Sequence, residues 1–245
     1  MQLVLGIPEQ PALTDETWSK HVSEAKAAGI EAVEIHGQAL PKGISQATAR
    51  GLRVAVIRSA AGRPDCHLAS VAPTVRTAAV SRVLSELNQA AGAAVVTVAP
   101  AAGRWAENTR PAGTYAEALH ATLESLRALA RPVECAGEAV AVEAAADGFL
   151  LAPMELRELL DLVNQPDICA CLDVARIVRI SRVEDWIGTL RHRIGCVRWN
   201  ADDAGDIDGL AAALAEVRYA GPVVCHGDPA WVGRQLSRLE RVLGV

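Results

Sequence analysis

Two carboxylates, each closing a short apolar run, mark where this chain could do chemistry. Glu143 ends the run Ala139 to Val142, and Asp173 ends the run Ile168 to Leu172. Between the runs, Leu156, Leu159, Leu160 and Val163 fall at i, i+3, i+4 and i+7, one face of a helix. Two strands joined by a single crossover helix run parallel, so both carboxylates leave the sheet at the same edge. A lone charged residue closing a buried run is ordinarily a cap or a surface contact. Two of them, one β-α unit apart and facing the same way, point to an active site if the sheet is a barrel.

The elements that must position them repeat along the chain. Strand-like runs are predicted over Leu3–Pro8, Ala32–His36, Arg53–Arg58, Ala94–Ala99, Ala139–Glu143, Ile168–Asp173, Cys196–Asn200 and Pro222–His226. Helical periods lie between them, as in Val80, Val83, Leu84 and Leu87, or Leu119, Leu123 and Leu126. Another joins Ile207, Leu210, Leu214 and Val217, and the last helix is expected over Trp231 to Leu243. Gly29, Gly51, Gly92, Gly137 and Gly221 each precede a strand, where a left-handed residue ends a helix. Eight strands alternating with helices over 245 residues predict an α/β fold, a (β/α)8 TIM barrel forming one domain over residues 1–245. A doubly wound open sheet would need a glycine-rich loop after its first strand, and the sequence there reads PEQPALTDE.

Barrel chemistry sits on strand C-termini and the loops beyond them. The longest such loops are Ser59 to Pro73 and Pro100 to Gly113. The second offers Arg104, Trp105 and Arg110 as a lid over substrate, or else as a solvated rim, and Asp206 is placed to cap the helix after strand 7. His36 and Glu34 share a face of strand 2 and can join a pocket at its end.

Composition narrows the function. With a net charge of −5 and no basic stripe, neither nucleic acid nor an anionic membrane surface is an expected partner. No apolar stretch approaches the ~20 residues needed to span a bilayer, and the first ten residues lack the form of a signal peptide. The six cysteines contain no C-x-x-C pair, and four lie in predicted strands as small hydrophobes. Cys169 and Cys171 read as core rather than as a zinc site, which wants four ligands at set spacings. A reducing, cytoplasmic setting is expected.

Five stretches carry a family resemblance: AAGIEAVEIHG, AVSRVLSELNQAAGAAVVTVAP, AVAVEAA, APMELRELLDLVNQPDICACLDVARI and RYAGPVVCHGD. Together they resemble the xylose-isomerase-like TIM barrels, a superfamily of sugar and sugar-phosphate isomerases and epimerases that also holds the class II apurinic endonucleases. The resemblance runs the length of the chain. It implies one divalent metal (Zn, Mn or Mg) held by carboxylates and histidines from strands 5 to 8, and Glu143 and Asp173 match the first two positions. Elsewhere the sequence departs from the pattern. The family's Asp-x-x-His becomes Asp173-Val174-Ala175-Arg176, Arg198 stands for the strand 7 histidine, and His226 for the strand 8 glutamate. Arg58 and Ala99 fall where histidines are common on strands 3 and 4. An arginine offers a cation no lone pair, so the expected metal is absent or is held by Glu143, Asp173 and His226 alone.

Two readings of function follow from the resemblance. In the first, the chain is an isomerase or epimerase of a sugar, sugar phosphate or related hydroxy-carbonyl compound. Glu143 is then the base and His226 the partner acid, while Arg176 and Arg198 hold the developing oxyanion. Arg58, His36 and Trp105 complete the substrate contacts, and the arginines suit an anionic carbohydrate-like ligand. In the second, the barrel has lost its metal site and its activity, and binds a carbohydrate or a protein partner. A phosphodiester-cleaving enzyme would need the histidine cluster that is missing here.

Overall fold

The computed structural model describes residues 2–6, 15–89, 92–93, 95–101, 113–145, 148–200 and 207–243. Eight strands close into a barrel in sequence order, each parallel to its neighbours. They are β1 (Gln2–Gly6), β2 (Ala32–His36), β3 (Arg53–Arg58), β4 (Val95–Val98), β5 (Ala139–Glu143), β6 (Ile168–Asp173), β7 (Ile194–Asn200) and β8 (Pro222–His226). The helices between and after them are α1 (Asp15–Ala27), α2 (Leu40–Ala49), α3 (Pro73–Gln89), α4 (Tyr115–Ala136), α5 (Pro153–Val163), α6 (Val174–Ile177), α7 (Val183–Leu190), α8 (Ile207–Glu216) and α9 (Pro229–Leu243). Among the described residues no helix is long and apolar enough to cross a membrane.

Five strands have the bounds that the sequence predicts. β7 starts two residues early because Ile194 already pairs with Ala170 of β6. β1 is described from Gln2 to Gly6, while Ile7, Pro8 and Ala94 lie outside the described residues. The predicted stripe of α5 is buried, with Leu156, Leu159, Leu160 and Val163 packed against the sheet. The helix α2 buries Leu40, Gly43 and Ala47 at i, i+3 and i+7, with Pro41 in its first turn. Gly43 lies so close to β2 that an added Cβ would stand 3.2 Å from the side chain of Ile35. Gly221 does not take the left-handed role expected of it: Arg218, with φ of 55°, turns the chain there instead.

Alternation along the strands sorts the barrel interior into two layers. The lower is apolar and small: every strand contributes to it through Val4, Ala32, Val56, Val95, Ala141, Cys171, Cys196 and Val224, with Ala55 and Cys169 beside them. Two residues on, the side chain returns to the interior, as the period of a strand requires. The upper layer therefore reads Gly6, Glu34, Arg58, Thr97, Glu143, Asp173, Arg198 and His226. Cys225, one residue out of phase, packs outward in the core between sheet and helices. All six cysteines are free thiols.

A second carboxylate anchor holds the strand end from which Arg58 projects. Glu86, on α3, is buried and accepts hydrogen bonds from the Ala60 amide at 2.9 Å and the Ser59 hydroxyl at 2.5 Å. Burial pushes its carboxyl above the usual range, against the pull of those two bonds. Gly37, beyond β2, leaves the space that Glu86 fills, since a Cβ there would overlap the carboxylate. Replacing Glu86 with Ala strands a buried amide and should destabilise the chain by about 1–3 kcal/mol. A urea unfolding midpoint unchanged from wild type would show that the turn after β3 does not depend on this carboxylate.

Candidate active site: an arginine among carboxylates

At the C-terminal mouth the upper layer is knitted together by one guanidinium. Arg198 is only 4% exposed, and its Nη1 donates to Glu143 Oε1 at 2.7 Å. Its Nη2 donates to Glu34 Oε1 at 2.7 Å and to Thr97 Oγ1 at 2.9 Å. One side chain from β7 thus reaches β5, β2 and β4 across the barrel. The rigid, planar fork of arginine permits this, and a lysine could not match it. Beyond Glu34 the chain of contacts continues to His226, whose Nε2 lies 3.2 Å from Glu34 Oε2 in ion-pair range, without hydrogen-bond alignment. The His226 ring occupies the space over Gly6, where any Cβ would overlap it.

Glu143 faces three cations. Besides Arg198, Arg58 Nε stands 3.7 Å from its Oε1 and Arg176 Nη1 stands 3.8 Å from its Oε2. Arg176 also pairs with Asp173, Nε to Oδ2 at 3.4 Å. Asp173 in turn caps α6 by accepting from the Arg176 amide at 3.2 Å. This explains why a helix begins on the residue after the carboxylate: the side chain satisfies an amide of the first turn that the helix cannot.

The charges interact strongly because they share a dry setting. Burial works against ionisation of Glu143, yet Arg198, Arg58 and Arg176 hold its carboxyl below the usual range. The same contest leaves Glu34 far below that range, Arg198 and His226 outweighing burial. Burial likewise opposes the charge on Arg198, and Glu34 and Glu143 hold it protonated. Under this layer the floor is neutral, and burial keeps the Cys169 thiol up at about 12.

Above the layer opens a cavity of about 320 Å³, lined among others by Arg58, Asp173, Arg176, Arg179, Arg198 and His226. Of the expected site residues, the structure brings together Glu143, Asp173, Arg176, Arg198, Arg58 and His226. Glu143, however, is 1% exposed and does not line the cavity. A carboxylate sealed under guanidinium groups and held below its usual pKa is a poor general base, so the expected role for Glu143 does not fit its surroundings. His36 is half-buried and also stands outside the cavity lining. Trp105, with Arg104, Arg110 and Asp206, lies outside the described residues.

Thr97, Arg179 and Asn200 are the residues the sequence did not single out. Thr97 was accessible to alternation, two residues after the inward Val95. Asn200 was accessible in the same way, two residues after Arg198 at the predicted end of its strand, whereas Arg179 lies just beyond a short helix that no periodicity announces.

The fold is similar to that of several solved sugar epimerases. It is similar to a D-psicose 3-epimerase crystallised in the presence of D-fructose, with a TM-score of 0.81 and 14% identity over all of both chains. It is similar also to a 3-keto-D-glucoside 4-epimerase from E. coli, with a TM-score of 0.80 and 17% identity over 98% of this chain and 99% of that one. A xylose isomerase domain protein from Planctomyces limnophilus gives 0.68 and 14% over 100% and 97%. What they share with this chain is the closed (β/α)8 barrel. No family model matches the sequence, and no curated protein does.

The divalent cation implied by that resemblance does not fit the residues at the mouth. Glu34 and Glu143 already bond the Arg198 guanidinium, and a dication beside them would meet its charge directly. Glu143, Asp173 and His226 do not converge as ligands: His226 leans on Glu34, and Asp173 on Arg176. Among the described residues no group of three His, Cys, Asp or Glu side chains could hold a metal ion.

Stability should report this cluster through pH. Glu34 and Glu143 have folded pKa values below the ordinary 4.5, so the stabilisation linked to their charge is complete above that value. It is lost as pH falls below 4.5 towards their depressed folded values. Arg198→Met leaves two buried carboxylates without their main partner, at a cost of about 3–5 kcal/mol. It should also reverse the trend, since carboxyls pushed up by burial make the variant gain stability on mild acidification. Urea midpoints measured from about pH 8 down to about pH 3 check both signs, and parallel curves for the two proteins would contradict the assignment.

Proposed function

We propose that the chain is an epimerase or isomerase of a carbohydrate-like hydroxy-carbonyl compound, working by proton transfer beside the carbonyl without a resident divalent cation. One observation carries the reading. Two groups able to exchange protons, His226 and Asp173, open onto the same cavity, and the fixed guanidinium of Arg198 lines it as well. The likeness to sugar epimerases, one crystallised in the presence of D-fructose and another with D-tagatose, supports a carbohydrate ligand for that cavity.

In this reading His226 takes the proton from the carbon next to the carbonyl, and Glu34 stabilises the imidazolium that forms. Asp173 serves as the second proton carrier. The enediolate oxygen develops its charge against Arg198 and Arg176, donors already oriented by Glu143, Glu34 and Asp173. Preoriented donors need no reorganisation as the charge appears, which is the main source of such stabilisation. Glu143 then acts on the arginines rather than on substrate. Six free thiols suit a reducing compartment such as the cytoplasm.

The second reading, a barrel that binds without catalysis, is favoured by the sealing of Glu143, the one carboxylate that matches the family's strand 5 position. Exchange of the substrate's α-proton with deuterated water, followed by NMR across ketoses and ketose phosphates, separates the two. An active wild type and a His226→Gln variant slowed by roughly 10²–10⁴-fold are expected. Equal rates would remove His226 as the proton carrier, and no exchange by the folded wild type with any compound would favour binding alone.

A further inference from the structure

His226 and Glu34 meet across a strand that carries neither of them. In the barrel β1 lies between β8 and β2, and Gly6 pairs with His226 on one side and with Glu34 on the other. The three residues therefore stand level, and the outer two are separated by two strand spacings, roughly 9–10 Å of backbone. Their side chains close that span above Gly6, where Nε2 of His226 comes within 3.2 Å of Glu34 Oε2. A Cβ at position 6 would overlap Cε1, Nδ1 and Nε2 of the ring. Glycine is not here for its backbone freedom. Its φ lies outside the left-handed region, so an alanine could adopt the same conformation. A glycine inside a strand otherwise only weakens it. What the position requires is the missing side chain.

We infer that Gly6 is a positioning residue: the gap it leaves in the upper layer turns Nε2 of His226 onto Glu34 and leaves Nδ1 as the nitrogen that exchanges the substrate proton. The two oxygens of Glu34 divide the anchoring. Oε1 accepts from Arg198 Nη2 at 2.7 Å, which fixes the carboxylate, and Oε2 is left for the ring. The pull of Arg198 and His226 outweighs burial, so Glu34 stays ionised. An ionised carboxylate can only accept, so the neutral ring carries its proton on Nε2 and offers the lone pair of Nδ1. In the proton transfer the C–H bond beside the carbonyl breaks and an N–H bond forms at Nδ1. The C–H electron pair becomes the enediolate double bond, and the carbonyl π pair moves to the oxygen, beside Arg198. Glu34 matches the charge that the ring gains, and a contact of this kind tightens as the imidazolium forms. The choice of nitrogen rests on the proposed proton-transfer function; the placement of the ring over Gly6 does not.

Three variants of the full chain test this: Gly6→Ala, His226→Ala and the two combined. Exchange of the α-proton with deuterated water should slow by roughly 10–100-fold in Gly6→Ala, the cost of misplacing a reacting group by about 1 Å. Its urea midpoint should fall as well. The double variant should match or exceed His226→Ala in urea, because without the ring an alanine has room and suits the strand better than glycine. This coupling also covers a Gly6→Ala variant that does not fold, since the double variant then must. Nitrogen-15 spectra of the histidine-labelled wild type, recorded where the ring is neutral, should show His226 protonated on Nε2, and Gly6→Ala should shift that resonance. A proton on Nδ1 would overturn the inference. So would an alanine equally costly with and without the ring, or a Gly6→Ala variant that exchanges as fast as wild type. A wild type that exchanges none of the ketoses or ketose phosphates would remove the epimerase and with it the reacting role of Nδ1, while the spectra and the urea midpoints still decide where the ring lies.

Discussion

The guanidinium of Arg198 is the constraint on which the mouth of this barrel depends. A buried arginine cannot shed its proton, so it must be surrounded by acceptors, and this one is met by Glu143, Glu34 and Thr97 from three other strands. The dependence runs both ways, since each carboxylate would be intolerable in the barrel without it. Glu34 in turn sets the place of His226, and His226 needs the bare backbone of Gly6 to lie where it does. Arg58 and Arg176 gather around the remaining charge of Glu143. Remove the central cation and the neighbours have no reason to keep these positions.

The layer beneath matters as much as the charges above it. Val, Ala and Cys side chains fill the barrel axis, small enough to pack from eight directions and neutral throughout. A floor of this kind is apolar and buried, and its low polarisability strengthens each ion pair above it. It also makes the arrangement unforgiving, because a charge that loses its partner there cannot be solvated.

A guanidinium and a metal ion differ in what they let a site do. A bound cation accepts lone pairs from substrate and protein alike, and is exchanged with solvent. A guanidinium belongs to the chain, offers only donors, and fixes their directions. It can still stabilise a developing oxyanion, which is what proton transfer beside a carbonyl requires. Glu143, held below its usual pKa and covered by cations, has the surroundings of a structural carboxylate.

Much of this was legible in the sequence, for reasons that differ from element to element. The strands from Ala139 to Glu143 and Ile168 to Asp173 announce themselves because buried parallel strands are short, apolar and bounded by helical periods. Once the barrel is recognised, a period of two carries Ala141 to Glu143, Cys171 to Asp173 and Val95 to Thr97, and the upper layer can almost be spelled out. That Arg176 and Arg198 stand where ligands are expected was implied by the family resemblance, not by the strand period. What the sequence could not decide was who pairs with whom. Glu34 and Arg198 are 164 positions apart, and only closure of the barrel puts them 2.7 Å from each other. Tertiary structure alone decided that Glu143 lies under the arginines and that His226 and Asp173 face the cavity. Strand periodicity sets the face on which a side chain emerges, but its exposure depends on the neighbours that seven other strands bring to the same height.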